Sequence, residues 1–271
     1  MKLNGEKFQH LRYGHSAHLG SYTAPGNDRI TSVDEAVDLG VLMEGSGKFA
    51  AQIRSAAQKG RRAAGWVLRV FNTRDERPML TLFKSLVLSA VEYCSVLWSP
   101  QRLGLIRELE DVQRAFTRKI TGVQHLDYGE RLEKLKLFSL ERRRDRFRII
   151  YVWRIINGLS PNLDDDRYRI NILHSARRGL ECRIPALRQT SQSLKTLNDE
   201  SFAVAGPMQF NCIDKNVRNH TGSLDSFKSK LDKFLWTVPD RPVIVGQQQA
   251  INCNRLDVRV SEMRRRPNNS T

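Results

Sequence analysis

The spacing of apolar residues changes at residue 47, and that change confines the chain to a helical body preceded by a small β element. From there to residue 157, apolar side chains recur every three or four positions, the interval that lines one face of an α-helix. Phe49, Ile53, Ala56, Ala57, Ala64, Val67, Leu68 and Phe71 form the first such face, with Arg54, Lys59, Arg61, Arg62 and Arg69 around the rest. A second helix opens at Arg77-Pro78, where proline suits a first turn. It points Leu80, Phe83, Val87, Ala90, Val91, Cys94 and Leu97 inward until Ser99-Pro100 stops it. The third runs from Leu103 through Ile106, Leu109, Val112, Phe116 and Ile120, with Gly122 as its closing glycine. Asp127 is placed to cap a short fourth helix. A fifth spans about Leu140 to Asn157, ended by Gly158 and Pro161. Five helices with short connections predict a compact bundle.

The flanks differ from this body. Phe8, His10 and Arg12 alternate with Gln9, Leu11 and Tyr13, the residues from Ala24 to Asp28 form a turn cluster, and a short apolar run from Asp38 to Glu44 is closed by Gly45 and Gly47. This predicts two or three short strands, too few for an independent sheet domain, which need something to pack against. Residues 162–200 are polar and expected to be loop. A compact element returns at Ser201–Pro207, then a short helix, then an apolar face of Phe227, Leu231, Phe234 and Leu235 within 225–236. The expected division is residual strands at 1–46, a helical bundle at 47–160, a partly ordered region at 161–239 and a disordered basic tail at 240–271. The fold class is mainly α with a small N-terminal β element, an α+β chain.

Charge points to the partner. The chain carries 45 Lys and Arg against 29 Asp and Glu, a formal charge of +16, which favours polyanions. Nucleic acid is the leading expectation, ahead of an anionic membrane surface or an acidic protein. Residues 47–157 alone hold 23 Lys and Arg against 11 Asp and Glu, so most of the surplus sits on the expected helices. The densest run is Arg142, Arg143, Arg144, Arg146 and Arg148. With Arg61, Arg62, Arg118 and Lys119 these are the candidate phosphate contacts, and replacing Arg142–Arg144 by alanine is expected to weaken a salt-sensitive, sequence-tolerant interaction.

Candidates for chemistry are weaker. His10, His15 and His18 lie on a strand and a polar turn with no acidic or Cys partner nearby, and Asp164, Asp165 and Asp166 follow Ser160-Pro161-Asn162 in an expected loop. Two-metal chemistry needs carboxylates fixed on rigid elements, so a solvated acidic turn is the expectation. Cys94, Cys182, Cys212 and Cys253 are scattered without CxxC spacing, which predicts reduced thiols and no structural zinc. Phosphate-loop, dinucleotide, metalloprotease and serine-hydrolase motifs are absent. No catalytic residue and no metal site is assigned. The opening residues lack the apolar core of a signal peptide and no apolar run approaches a membrane span, so an intracellular place, cytoplasmic or nuclear, is expected.

The order of several segments is more specific than any of them alone. Met1–Phe8 with Leu11-Arg12-Tyr13-Gly14, then Val37-Asp38-Leu39-Gly40-Val41, resembles the end of the palm in reverse transcriptases of non-LTR (LINE-type, Jockey-like) retrotransposons. The likeness continues through Lys84-Ser85-Leu86-Val87, Glu92-Tyr93-Cys94-Ser95, Trp98-Ser99-Pro100, Val112–Ile120, Tyr128–Leu132, Leu140–Arg143 and Ile156-Asn157-Gly158. Phe202–Pro207, Ser226-Phe227-Lys228 and Leu231-Asp232 extend it to about residue 236. The resemblance implies a thumb-like helical bundle attached to a truncated palm. It also implies RNA or an RNA–DNA template–primer duplex as partner, and Gly40 as a backbone position close to the primer. The family's catalytic aspartates, which would hold Mg, have no counterpart in these segments. The expected product is therefore a fragment of an RNA-directed DNA polymerase that binds template–primer without nucleotidyl transfer, needing no cofactor of its own. A non-enzymatic protein-interaction module and a functionless transposon relic are the alternatives.

Overall fold

The computed structural model describes residues 8–13, 20–24, 29–162, 164, 166, 168–183, 192–242 and 254–265. These form a mainly helical protein with three two-stranded sheets among the described residues. Strands β1 (Gln9–Leu11) and β2 (Thr31–Val33) pair in parallel, and β3 (Glu35–Asp38) and β4 (Val41–Glu44) form a hairpin. The hairpin turns through Leu39 and Gly40, both at positive φ (46° and 82°), the handedness that matches the twist of flanking strands.

The hairpin introduces the longest helix, α1 (Ala50–Val70). The Glu44 carboxylate accepts from Ala51 N at 3.1 Å, and the Gln52 side chain accepts from Leu42 N at 2.9 Å. At the far end Arg74 donates to the carbonyls of Leu68, Phe71 and Thr73. An anion thus sits at the N-terminus and a cation at the C-terminus, the favourable sense for the helix dipole.

Behind α1 the chain runs through α2 (Glu76–Leu82), a π-helical turn at Phe83–Val87, α3 (Leu88–Glu92) and α4 (Ser95–Trp98). Phe83, Val87 and Val91 stay inward through the π turn, but the helix breaks after Glu92, where Tyr93 leaves helical geometry and Cys94 takes a positive φ of 53°. Met79, Phe83, Val87, Leu88, Val91, Ser95 and Trp98 are buried, whereas Cys94 and Leu97, expected inside, are exposed. Next, α5 (Leu103–Thr117) buries Ile106, Leu109, Val112 and Phe116 as its spacing predicts, and α6 (Tyr128–Lys134) begins in a capping box at Asp127 and Glu130.

Helices α1, α3 and α5 meet at Gly60. A methyl group there would lie 2.3 Å from Val91 Cγ1 and 3.2 Å from Val112 Cγ1. Gly60→Ala is therefore expected to lose roughly 1–2 kcal/mol, overpacking outweighing the helix-propensity gain. Gly65→Ala in the same helix, whose Cβ would meet only Arg69 at 3.7 Å, is expected to gain about 0.5–1 kcal/mol. Urea unfolding of the two variants side by side checks both signs.

Helix α7 (Leu140–Ile156) joins two cores. Its first residue belongs to the core of α1–α6, while Ile149, Ile150, Val152, Trp153 and Ile155 belong to a second core built with later elements. These are the hairpin β5 (Asn171–Ser175) and β6 (Gly179–Arg183), then α8 (Gln192–Glu200), α9 (Phe202–Cys212), α10 (Lys215–Arg218), α11 (Leu224–Thr237) and α12 (Leu256–Arg265). Helix α9 crosses α7 at Gly206, where a Cβ would stand 3.1 Å from Val152.

Three expectations are corrected here. The stretch expected to be loop contains β5, β6 and α8, with β6 pinned by Asn211 bridging to Cys182 N and O at 2.8 and 2.7 Å. The stretch taken as disordered tail contains α12, held because Leu256 and Val260 bury in the second core. The cores also meet at residues 138–140 rather than at 160. No helix among the described residues is long and apolar enough to cross a membrane.

Candidate nucleic-acid interface

The arginine run on α7 is not the surface that its sequence suggests. Arg142, Arg144 and Arg148 are almost wholly buried. α7 packs against α4 and α5 on one side and α9 and α11 on the other, so it has little solvent face to offer. Arg143 forms a bidentate pair with Glu92, and Arg146 forms one with Asp232 at 2.5 and 2.9 Å. Arg142 donates to Pro239 O at 3.1 Å and Arg148 to Glu200 O at 3.1 Å. The charge of Arg144 faces Glu110, Glu141 and Asp145. Arg142, Arg143, Arg146 and Arg148 therefore tie α7 to elements of both cores, and burial and pairing correct the expectation that these five arginines contact phosphate.

The carboxylates that answer them are themselves buried. Glu110 accepts from the Tyr128 hydroxyl and from Leu140 N at 3.0 Å, and Asp145 accepts from Gln209 Nε2 at 2.6 Å. Asp240 accepts from Ser139 N, Ser139 Oγ and Asn254 Nδ2, which ties Asn254, two residues before α12, into the cluster. Burial pushes Glu110 up to about 7 and Asp145 up to about 7, with Glu141 also raised by burial.

In the unfolded chain such groups titrate near pH 4. Between about pH 4 and 7 the folded state therefore holds protons that the unfolded state releases, and their contribution to stability falls as pH rises through that window. The urea midpoint is expected to drop from pH 5 to pH 8, and Glu110→Gln to flatten the drop. An unchanged slope in that variant contradicts the assignment.

The remaining candidates lie on the bundle's outside. Arg61, Arg62, Arg118 and Lys119 are exposed. Arg61 donates to Glu108 O at 3.2 Å, and Arg54 lies 3.8 Å from the Glu108 carboxylate. Helix α1 contains five cations, Arg54, Lys59, Arg61, Arg62 and Arg69, all exposed, and no Asp or Glu. Lys59, Arg62, Trp66 and Arg69 recur at three- and four-residue intervals and so share one face, opposite the buried Ile53, Gly60 and Val67. Trp66 is 48% exposed there. Apolar periodicity alone leaves Trp66 unassigned, and its spacing from Arg62 and Arg69 is the signal that places it on this face. At 21 residues the helix extends roughly 30 Å.

Helices α1 and α5 run the same way. Gly60 meets Val112, and further along Arg74 O accepts from Thr121 N at 2.8 Å. Arg118 and Lys119 thus stand at the same end of the bundle as Arg69. Gly40 sits elsewhere, in the β3–β4 turn, where the Tyr93 hydroxyl donates to Leu39 O at 2.7 Å and its ring lies 3.5 Å from where a Gly40 Cβ would be.

Of the histidine trio, His10 packs at a tilt against Tyr22, with ring centroids 4.4 Å apart, and meets Ser32 Oγ at 3.3 Å, while His15 and His18 lie outside the described residues. Asp164 and Asp166 are exposed, Asp166 lying 3.6 Å from Arg169, and Asp165 lies outside the described residues. Among the described residues no three His, Cys, Asp or Glu side chains are grouped to hold a metal ion. Cys94, Cys182 and Cys212 are free thiols, and burial pushes Cys182 and Cys212 up to about 12, making both poor nucleophiles at neutral pH. Compared with protein-family models, with curated proteins and with solved structures, the chain matches none.

Proposed function

We propose that the chain binds a template–primer duplex in the manner of the thumb of a non-LTR retrotransposon reverse transcriptase, with the outer face of α1 as its contact surface. The observation that carries this reading is the set of five exposed cations on α1, a helix that holds no Asp or Glu. A helix some 30 Å long with cations along it can follow successive phosphates of a duplex, and charge neutralisation of this kind is indifferent to sequence. Trp66 among these cations offers a flat apolar face to a base or a sugar. Arg118 and Lys119 extend the positive surface at the Arg69 end.

The order of motifs from Val37 to Asp232 supports the family part of the reading, and the helical bundle behind α1 supplies the rigid mount that such a surface needs. Gly40 remains a proposed primer-proximal position, held by Tyr93 at the tip of the hairpin. The test is the affinity of the full chain for an RNA–DNA duplex at near-physiological salt, by fluorescence anisotropy. A module that serves only to dock another protein requires no such affinity, so its absence would defeat the proposal.

A further inference from the structure

A second basic feature lies beyond the α1 surface. Asp111, Arg114 and Arg118 of α5, the segment from Gln124 to Asp127, and Arg131 of α6 line an open cleft of about 550 Å³, within the range of small-ligand sites. Its two carboxylates are already engaged. Asp111 pairs with Arg114, and Asp127 caps α6 by accepting from Glu130 N at 2.8 Å. Arg131 is 5% exposed, and its Nη1 donates to Leu126 O at 2.8 Å while its Nε has no hydrogen-bond partner. Arg118 is exposed, and no described residue pairs with its guanidinium. Burial lowers the proton affinity of Arg131, and Arg118 and Arg114 add to this while Tyr128 and Asp127 oppose it. Three guanidinium groups thus line one cleft, and while Asp111 answers Arg114, Arg118 has no ion-pair partner among the described residues and the Arg131 Nε has no hydrogen-bond partner. A solvated basic face would not bury one of its arginines.

We infer that this cleft is a seat for a phosphate-bearing anion, held between Arg118 and Arg131 with Arg114 and His125 at its margin. Planar guanidinium forks match the oxygens of a phosphate in pairs, and an anion between them relieves their mutual repulsion. The seat shares Arg118 with the surface proposed for a duplex, but binding of a small phosphate there does not require that α1 bind one. The phosphate can come from a free anion or from the end of a nucleic acid, and the chemistry of recognition is the same.

Calorimetric titration of the full chain with inorganic pyrophosphate at low ionic strength tests the inference. Saturable binding at one site is expected, weakened at least about tenfold by Arg118→Glu and less than about twofold by Arg62→Glu on α1. Arg118 is exposed, so this variant keeps the fold, which circular dichroism verifies. Arg131→Lys, keeping the charge but losing the fork, is expected to weaken binding too. A 5′-phosphorylated oligonucleotide that outbinds its 5′-hydroxyl form through Arg118 assigns the phosphate to a nucleic-acid end. Equal binding of the two, with Arg118-dependent pyrophosphate binding intact, assigns it to a free anion. Absence of saturable pyrophosphate binding, or equal weakening by Arg62→Glu and Arg118→Glu, overturns the inference.

Discussion

Replacing Arg144 by methionine is expected to cost the fold about 3–5 kcal/mol, the usual loss when one member of a buried ion network is removed and its partners remain. Arg144 is buried and its charge faces Glu110, Glu141 and Asp145 at once. Without it three buried carboxyl groups share one less cation, and they recover only by holding their protons more tightly. The loss is therefore expected to be larger at pH 8 than at pH 5. Chemical denaturation at both pH values reads the effect, and Glu110→Gln in the same background is expected to restore part of it. A change below about 0.5 kcal/mol at pH 8, the size of an ordinary surface substitution, would show that the cluster does not clamp the two cores. Mutating all of Arg142–Arg144 to alanine is expected to unfold the chain, so lost binding in that variant says nothing about phosphate contacts.

The second large effect belongs to α1. Lys59→Glu, Arg62→Glu and Arg69→Glu together reverse three exposed cations that lie on one face with Trp66. Affinity for duplex nucleic acid is expected to fall at least about a hundredfold, equivalent to roughly 2.7 kcal/mol. The salt dependence is expected to become shallower by about three phosphate contacts. Because these side chains point away from the core, the unfolding midpoint is expected to stay within about 0.5 kcal/mol of the parent. Anisotropy titrations alongside urea unfolding separate the two quantities. A triple variant that binds as well as the parent places the contact surface elsewhere.

What the sequence reveals and what it hides differ for physical reasons visible in these two helices. The inward faces of α1 and α5 follow from apolar spacing, and the start of α6 at Asp127 follows from capping chemistry, because both signals are local. The run on α7 carries a non-local answer. Its partners Glu92, Asp232 and Glu200 lie 51, 86 and 52 residues away, and nothing within the helix distinguishes a clamped arginine from a solvated one. Two hints were present: Glu141 and Asp145 interleave with the arginines, and Ile149, Ile150, Val152, Trp153 and Ile155 are too widely spread for one face. The break between α3 and α4 is hidden too, since Cys94 takes a left-handed conformation (φ 53°) with no glycine or proline to announce it, and beyond it Cys94 and Leu97 turn outward. β5, β6 and α12 were missed because short amphipathic segments with few apolar residues take their order from the core that they join.

The most direct measurement is the affinity of the full chain for an RNA–DNA duplex between about 50 and 200 mM salt. A helix that neutralises three to five phosphates predicts a linear fall of log K with log salt, of slope roughly −3 to −4.5, nearly the same for unrelated duplex sequences. Tight binding that ignores salt over that range, or no binding at its lower end, would contradict the assignment of α1 as a nucleic-acid surface.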